Sequence, residues 1–182
     1  ADHRHDQEQR LHAHKMRAVN AYVRANKLDR VTVSGGQTPR FGIVSTGKAY
    51  MDVVQALADL GIDARAAEKL GLSVYKIGMS WPVEPEGLKA FASGLTDILV
   101  VEEKRGLLES QVKEILYNTA QPPSVFGKRD LEGARLLTEE GSITSMEVAR
   151  AIAAKLLPEE VRSASLNKRL AEIDTALIRE FA

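Results

Sequence analysis

Four consecutive apolar residues, Ile98-Leu99-Val100-Val101, set the tightest limit on how this chain can fold. A strand with one wet face alternates apolar and polar side chains, so an unbroken apolar run asks for helices on both faces and a place inside a sheet. Segments with helical spacing stand on either side of it. Pro85 can occupy a first turn, where its missing N–H has no intrahelical partner, and Leu88, Phe91 and Leu95 then mark a buried face. Leu107–Tyr117 reads as the helix that follows, and the paired prolines of 118–124 as a loop before a short strand, Val125-Phe126.

The same alternation runs along the rest of the chain. His5–Leu28 has no Pro or Gly, and Leu11, Ala18, Val19, Tyr22 and Val23 recur at helical spacing, which predicts an amphipathic helix ahead of the sheet. Val31-Thr32-Val33 and Phe41–Val44 suit strands, separated by the polar stretch Ser34–Pro39. Lys48–Leu60 places Tyr50, Val53, Val54, Leu57 and Leu60 on one face, with Gly61 fit to end it, and a short helix covers Ala64–Leu70. Leu72–Met79 has period two at its centre and reads as a strand closed by Trp81-Pro82. Lys128–Ser142 is rich in charge and glycine and predicts an exposed excursion anchored by Leu131, Leu136 and Leu137. Ser145–Leu157 is the next helix. After the interruption at Pro158, Leu166, Leu170, Ile173, Leu177 and Phe181 form the stripe of a last one. Packing on this domain's own sheet is the plain explanation of that stripe, and docking on another subunit or domain the alternative.

Alternating strands and helices predict a three-layer α/β/α sandwich with a mostly parallel sheet of about five strands and flanking N- and C-terminal helices. The α/β domain is placed at residues 1–157 and the C-terminal amphipathic helix at 158–182. A length of 182 residues with 44% hydrophobic content suits one core. Lys plus Arg and Asp plus Glu both number 25, so no global field points to nucleic acid. Without cysteine, no thiolate can hold an iron–sulfur cluster or act as nucleophile. The apolar runs 98–101 and 151–154 are far too short for a bilayer and the first residues are unlike a signal peptide, so a cytoplasmic protein without membrane contact is expected.

Several residues could carry a site. Gly42–Ala49 matches the first part of a phosphate-loop pattern, but Ala49 stands where Ser or Thr would bind magnesium, and Gly42 falls inside a strand. The plain reading is a strand-to-helix turn in which Gly47 eases a bend after Thr46 and Lys48 is solvated. Glu102 and Glu103 fall at the carboxyl end of the doubly covered strand, where ligands collect in open α/β sheets. They could equally be a solvated pair, or partners of Lys104 and Arg105. Ser80 and Trp81 close another strand at the same edge, where an aromatic could cover a ligand or a protein, or simply pack on its own core. His3, His5, His12 and His14 are not spaced three or four apart, and no G-x-S-x-G or G-x-G-x-x-G occurs. No catalytic, cofactor-binding or metal-ligating residue is therefore assigned, and Thr46, Gly47, Ser80, Trp81, Glu102 and Glu103 remain as a possible ligand or domain-contact edge.

Four longer phrases occur in order: RFGIVSTGKAYMDVVQAL, YKIGMSWPVEPEGLKAF, DILVVEEKRGLLESQVKEILYN and VFGKRD. Over about Leu11 to Leu157 they resemble the indolepyruvate ferredoxin oxidoreductase family, specifically its transketolase C-terminal-like domain. The resemblance implies a parent enzyme that oxidatively decarboxylates an aryl 2-oxoacid to an acyl-CoA with thiamine diphosphate, iron–sulfur clusters, coenzyme A and ferredoxin. The diphosphate-binding G-D-G motif is absent here, so those groups are expected on thiamine-binding and iron–sulfur domains elsewhere. The chain itself is expected to be an inactive internal piece serving structure and subunit contact, with a homodimer possible. Gly106 stands where the resemblance leads one to expect Pro, which leaves that strand-to-helix junction looser. The competing reading is an independent nucleotide-binding protein with a degenerate phosphate loop at Gly42–Ala49, using Lys48 and Glu102 or Glu103.

Overall fold

The sheet is built around β2 (Phe41–Thr46), which runs parallel to β3 (Leu72–Ile77) on one side and β4 (Asp97–Val101) on the other. The computed structural model describes residues His3–Glu180. The strand order is β1-β3-β2-β4-β5, with β1 (Arg30–Val33) antiparallel at one edge and β5 (Ser124–Phe126) parallel to β4 at the other. Five strands, four of them parallel, with helices on both faces make the expected α/β sandwich.

The 98–101 run has the cover its composition demands. Leu99 and Val101 face α3 (Gly47–Asp59) and α7 (Ser145–Leu156), while Ile98 and Val100 face α5 (Pro85–Ala92) and α6 (Leu107–Leu116). All four are buried, and Ile43 and Val44 of β2 divide between the same two layers in register with Leu99 and Val100. Gly42 permits this packing: a Cβ there would lie 2.6 Å from Leu95 Cδ1 and 3.1 Å from the Phe91 ring. The short α4 (Ala64–Leu70) follows α3, capped by Asp63, whose side chain accepts from Ala66 N.

Two expectations change. The segment 128–142 is exposed over most of its length, as expected, but its anchors differ. Lys128, Leu137 and Thr138 are buried, and Leu136 is partly covered, whereas the expected anchor Leu131 is 67% exposed. Lys128 pulls the segment down onto the sheet by donating from Nζ to the carbonyls of Glu102 and Thr138, and Lys155 on α7 holds Asp130 at 2.8 Å. The first helix begins as α1 (His3–Arg10), passes through a π-helical turn at Leu11–Lys15 and continues as α2 (Met16–Ala25), but its apolar stripe lies largely in the open. Val23 is buried, while Val19 and Tyr22 are exposed, because only the carboxyl end of α2 reaches the domain. There Arg24 pairs with Glu84 and the Leu28 backbone packs closely against Gly78.

The last helix, α8 (Ala164–Glu180), packs on α7 and buries Leu166, Ile173 and Leu177 in the same cluster as Val53, Leu57 and Ile152. Leu170 is partly covered, and Phe181 lies outside the described residues. Its cover comes from the helical layer rather than from the sheet. Arg162 bridges the junction, donating to the carbonyls of Ala153 and Leu157.

Candidate functional site

From β2 the chain crosses to β3 on one side, and from β3 it returns past β2 to β4 on the other, so a crevice is expected beyond the carboxyl ends of β2 and β4. Thr46, Gly47 and Lys48 reach that point from β2, and Glu102 and Glu103 reach it from β4. The crevice is bridged. Lys48 Nζ lies 3.2 Å from Glu103 Oε1 and 2.9 Å from Asp52 Oδ2, and donates to the Ile143 carbonyl at 2.7 Å. Glu103 Oε2 accepts from Ile143 N at 3.3 Å. The Asp52 carboxylate above all, opposed by burial and helped by Glu103, raises the Lys48 pKa. Lys48 is thus an ion-bridge centre whose side chain remains 53% exposed, solvated as expected but not free.

Glu102 serves a different task. Its carboxylate turns under α6 and accepts from Leu108 N at 2.7 Å and Glu109 N at 2.8 Å, satisfying two of the four unpaired donors at that helix start. Gly106, at the cap position, offers no side chain for this, so the carboxylate from the strand end does it. Burial raises the Glu102 pKa, opposed by those two N–H groups and by the Lys128 charge. Lys128 is pushed down by burial, against the attraction of Glu102, Glu103 and Glu109. Neither glutamate pairs with Lys104 or Arg105, and neither is freely solvated, which corrects both plain readings of this pair.

At the end of β2, Thr46 Oγ1 donates to the Ile77 carbonyl at 2.9 Å and so ties β2 to β3. Gly47 takes φ +57°, the left-handed conformation that the bend requires, and opens α3 immediately. With Gly42 paired inside β2 and no loop between Thr46 and α3, successive amides cannot curl around a phosphate. Ser80 and Trp81 are exposed along the flank of α6, where Gln111 Nε2 donates to the Ser80 carbonyl at 3.0 Å and Gln111 Oε1 accepts from Val83 N at 2.9 Å. The structure therefore joins Lys48 to Glu103, ties Thr46 to β3, uses Gly47 for the bend, turns Glu102 inward, and sets Ser80 and Trp81 apart beside α6.

Sequence reasoning missed Lys128, Asp52, Gln111, Asp29 and Glu84. Asp29 Oδ1 accepts from Gly78 N at 2.7 Å and steadies the turn after β3. Glu84 caps α5 through Glu86 N and Gly87 N, and although burial raises its pKa, these bonds and Arg24 outweigh that and lower it. Glu84 directly before Pro85 was a readable cap signal, and so was Asp52, four residues after Lys48 on one helix, a readable ion-pair signal; Lys128, Gln111 and Asp29 act over distances that no local pattern reports. Among the described residues no group of three His, Cys, Asp or Glu side chains is arranged to hold a metal ion, and no helix is long and apolar enough to cross a membrane.

The family model described as the indolepyruvate oxidoreductase domain matches residues 31–180. The chain belongs to that family. A relative, the indolepyruvate oxidoreductase subunit IorA of Methanothermobacter thermautotrophicus, is 31% identical over 116 residues, which cover 64% of this chain and 17% of that protein. The subunit IorA of Pyrococcus abyssi is 32% identical over 96 residues, covering 53% and 14%. The chain thus spans roughly a sixth of these family members. The fold also matches part of the 2-oxoglutarate:ferredoxin oxidoreductase from Magnetococcus marinus, with TM-score 0.53 and 18% identity over 89% of this chain and 24% of that one.

Proposed function

We propose that this is a non-catalytic structural and subunit-contact domain of a thiamine-diphosphate-dependent indolepyruvate ferredoxin oxidoreductase, which converts an aryl 2-oxoacid to an acyl-CoA. One observation carries the reading: Thr46, Lys48, Glu102, Glu103 and Lys128, the groups at the edge where such folds bind ligands, are engaged in holding strand ends, helix starts and the 128–142 segment in place. The donor set does not suit the family's cofactors. No thiol is present for an iron–sulfur cluster, and the cation nearest the crevice is neutralised by Asp52 and Glu103, which would repel a diphosphate. Thiamine diphosphate, the clusters and coenzyme A then sit on the partner domains, with ferredoxin meeting the whole enzyme. Within this reading residues 1–157 supply the α/β unit, residues 158–182 the helix upon it, and the setting is cytoplasmic.

The test is made on the isolated chain. Calorimetric titration with thiamine diphosphate and magnesium should give no saturable heat, and indolepyruvate with an artificial electron acceptor should give no turnover. Turnover by the chain alone would overturn the proposal.

A further inference from the structure

Trp81 and Leu107 are each 56% exposed, and they lie on two backbone turns that one side chain ties together. Gln111 Nε2 donates both to the carbonyl of Ser80, at 3.0 Å, and to that of Leu107, at 3.1 Å, while its Oε1 accepts from Val83 N. The turn that carries the tryptophan is thereby clamped to the first turn of α6, whose start Glu102 fixes from beneath. Other exposed apolar side chains, such as Met51 on α3 and Ile178 on α8, stand on different elements. A backbone turn already held in place loses less entropy on docking than a free one, and tryptophan is prominent among side chains that dominate interfaces.

The surrounding charge tells what would cover it. Glu84 is taken by Arg24, Glu103 by Lys48, and Glu109 by Lys113 and the Lys128 amide, while Glu102 is buried. Lys104 and Arg105, on the tight turn just before Leu107, are exposed, and among the described residues their side chains have no ion-pair partner. The patch is therefore an apolar pair beside two uncompensated cations. Two cations on a chain of zero formal charge are too few for a phosphate backbone. They suit carboxylates rimming an apolar recess on a protein.

Resting on the contact-domain reading, we propose that Trp81 and Leu107, with Lys104 and Arg105, form the docking surface for a neighbouring domain of the parent oxidoreductase that presents an apolar recess rimmed by carboxylates. The experiment titrates the 182-residue chain with the remainder of the parent subunit, produced without these residues, and reads Kd by calorimetry. Trp81→Ala and Leu107→Ala should each weaken binding by about tenfold or more. The pair Lys104→Glu with Arg105→Glu should weaken it further, and added salt should weaken the unaltered complex. Tyr117→Ala, which removes an exposed aromatic at the far end of the same helix, should leave Kd unchanged. Melting temperatures of all variants should stay within about 2 °C, since the side chains are exposed. With a cooperative melt establishing that the remainder is folded, failure of the unaltered chain to bind it sinks the contact-domain reading. If it binds and the Trp81 and Leu107 variants bind equally well, this surface fails while that reading stands. Self-association that Trp81→Ala abolishes would overturn the assigned occupant in favour of a second copy.

Discussion

The helices at the two ends of the chain carry similar apolar stripes and meet different fates. α8 buries Leu166, Ile173 and Leu177 in the main core, whereas the helix spanning α1 and α2 buries Val23 alone among its described residues. Periodicity states that a helix has an apolar face; connection decides whether the chain itself can cover it. Only a few residues separate α7 from α8, so α8 doubles back along α7 and is pinned by Arg150 to Asp174 at 3.0 Å. The first helix leads through a short turn into edge strand β1, and at about 1.5 Å of rise per residue its far end stands roughly 30 Å from Val23.

Removing residues 161–182 should produce the largest effect. Three buried side chains worth about 1.5–3 kcal/mol each would be lost and the α3–α7 surface uncovered, so the truncated chain should aggregate or lose its cooperative melt by circular dichroism. A normal melt would place α8 outside the core and erase the contrast. Ile173→Ala alone should cost about 2–4 kcal/mol in urea unfolding, while Val19→Ala on the first helix should stay within about 0.5 kcal/mol.

Lys128→Met should cost about 1–3 kcal/mol, because the carbonyls of Glu102 and Thr138 lose their donor. Its pH dependence has a definite sign. Burial lowers the folded-state pKa of Lys128 below the ordinary 10.5, so the unfolded chain holds this proton more tightly. The stability linked to its titration is fully present above 10.5 and is lost as pH falls through the lowered folded value. Urea unfolding between pH 8 and 10.5 should therefore show the original chain gaining on Lys128→Met as pH rises; parallel curves would contradict the buried ammonium. Smallest of all, deleting residues 1–15 should leave the melting temperature within about 2 °C, since α1 and the π turn bury nothing.

The doubly covered strand was legible because burial on both faces is written into the composition of Ile98–Val101 itself. The start of α5 was legible through Pro85, and the bend through Gly47. Lys128 was not: a lysine in a polar run looks solvated, and its acceptors lie 26 and 10 residues away. Glu102 and Glu103 looked like one charged pair, yet their different directions follow from where α6 and Lys48 stand in space. Leu131 and Leu137 are equivalent in sequence, and only the path of the clamped segment separates the exposed one from the buried one.

Native-state hydrogen exchange on the isolated chain measures the contrast between the two terminal helices residue by residue. Amides of α8 near Ile173 should exchange with the same opening free energy as those of β2 and β4, the mark of one cooperative core, while amides of residues 3–15 should exchange almost as fast as unstructured peptide. Rapid exchange throughout α8 beside a protected sheet, or a first helix as protected as β4, would contradict the division of the molecule drawn from these contacts.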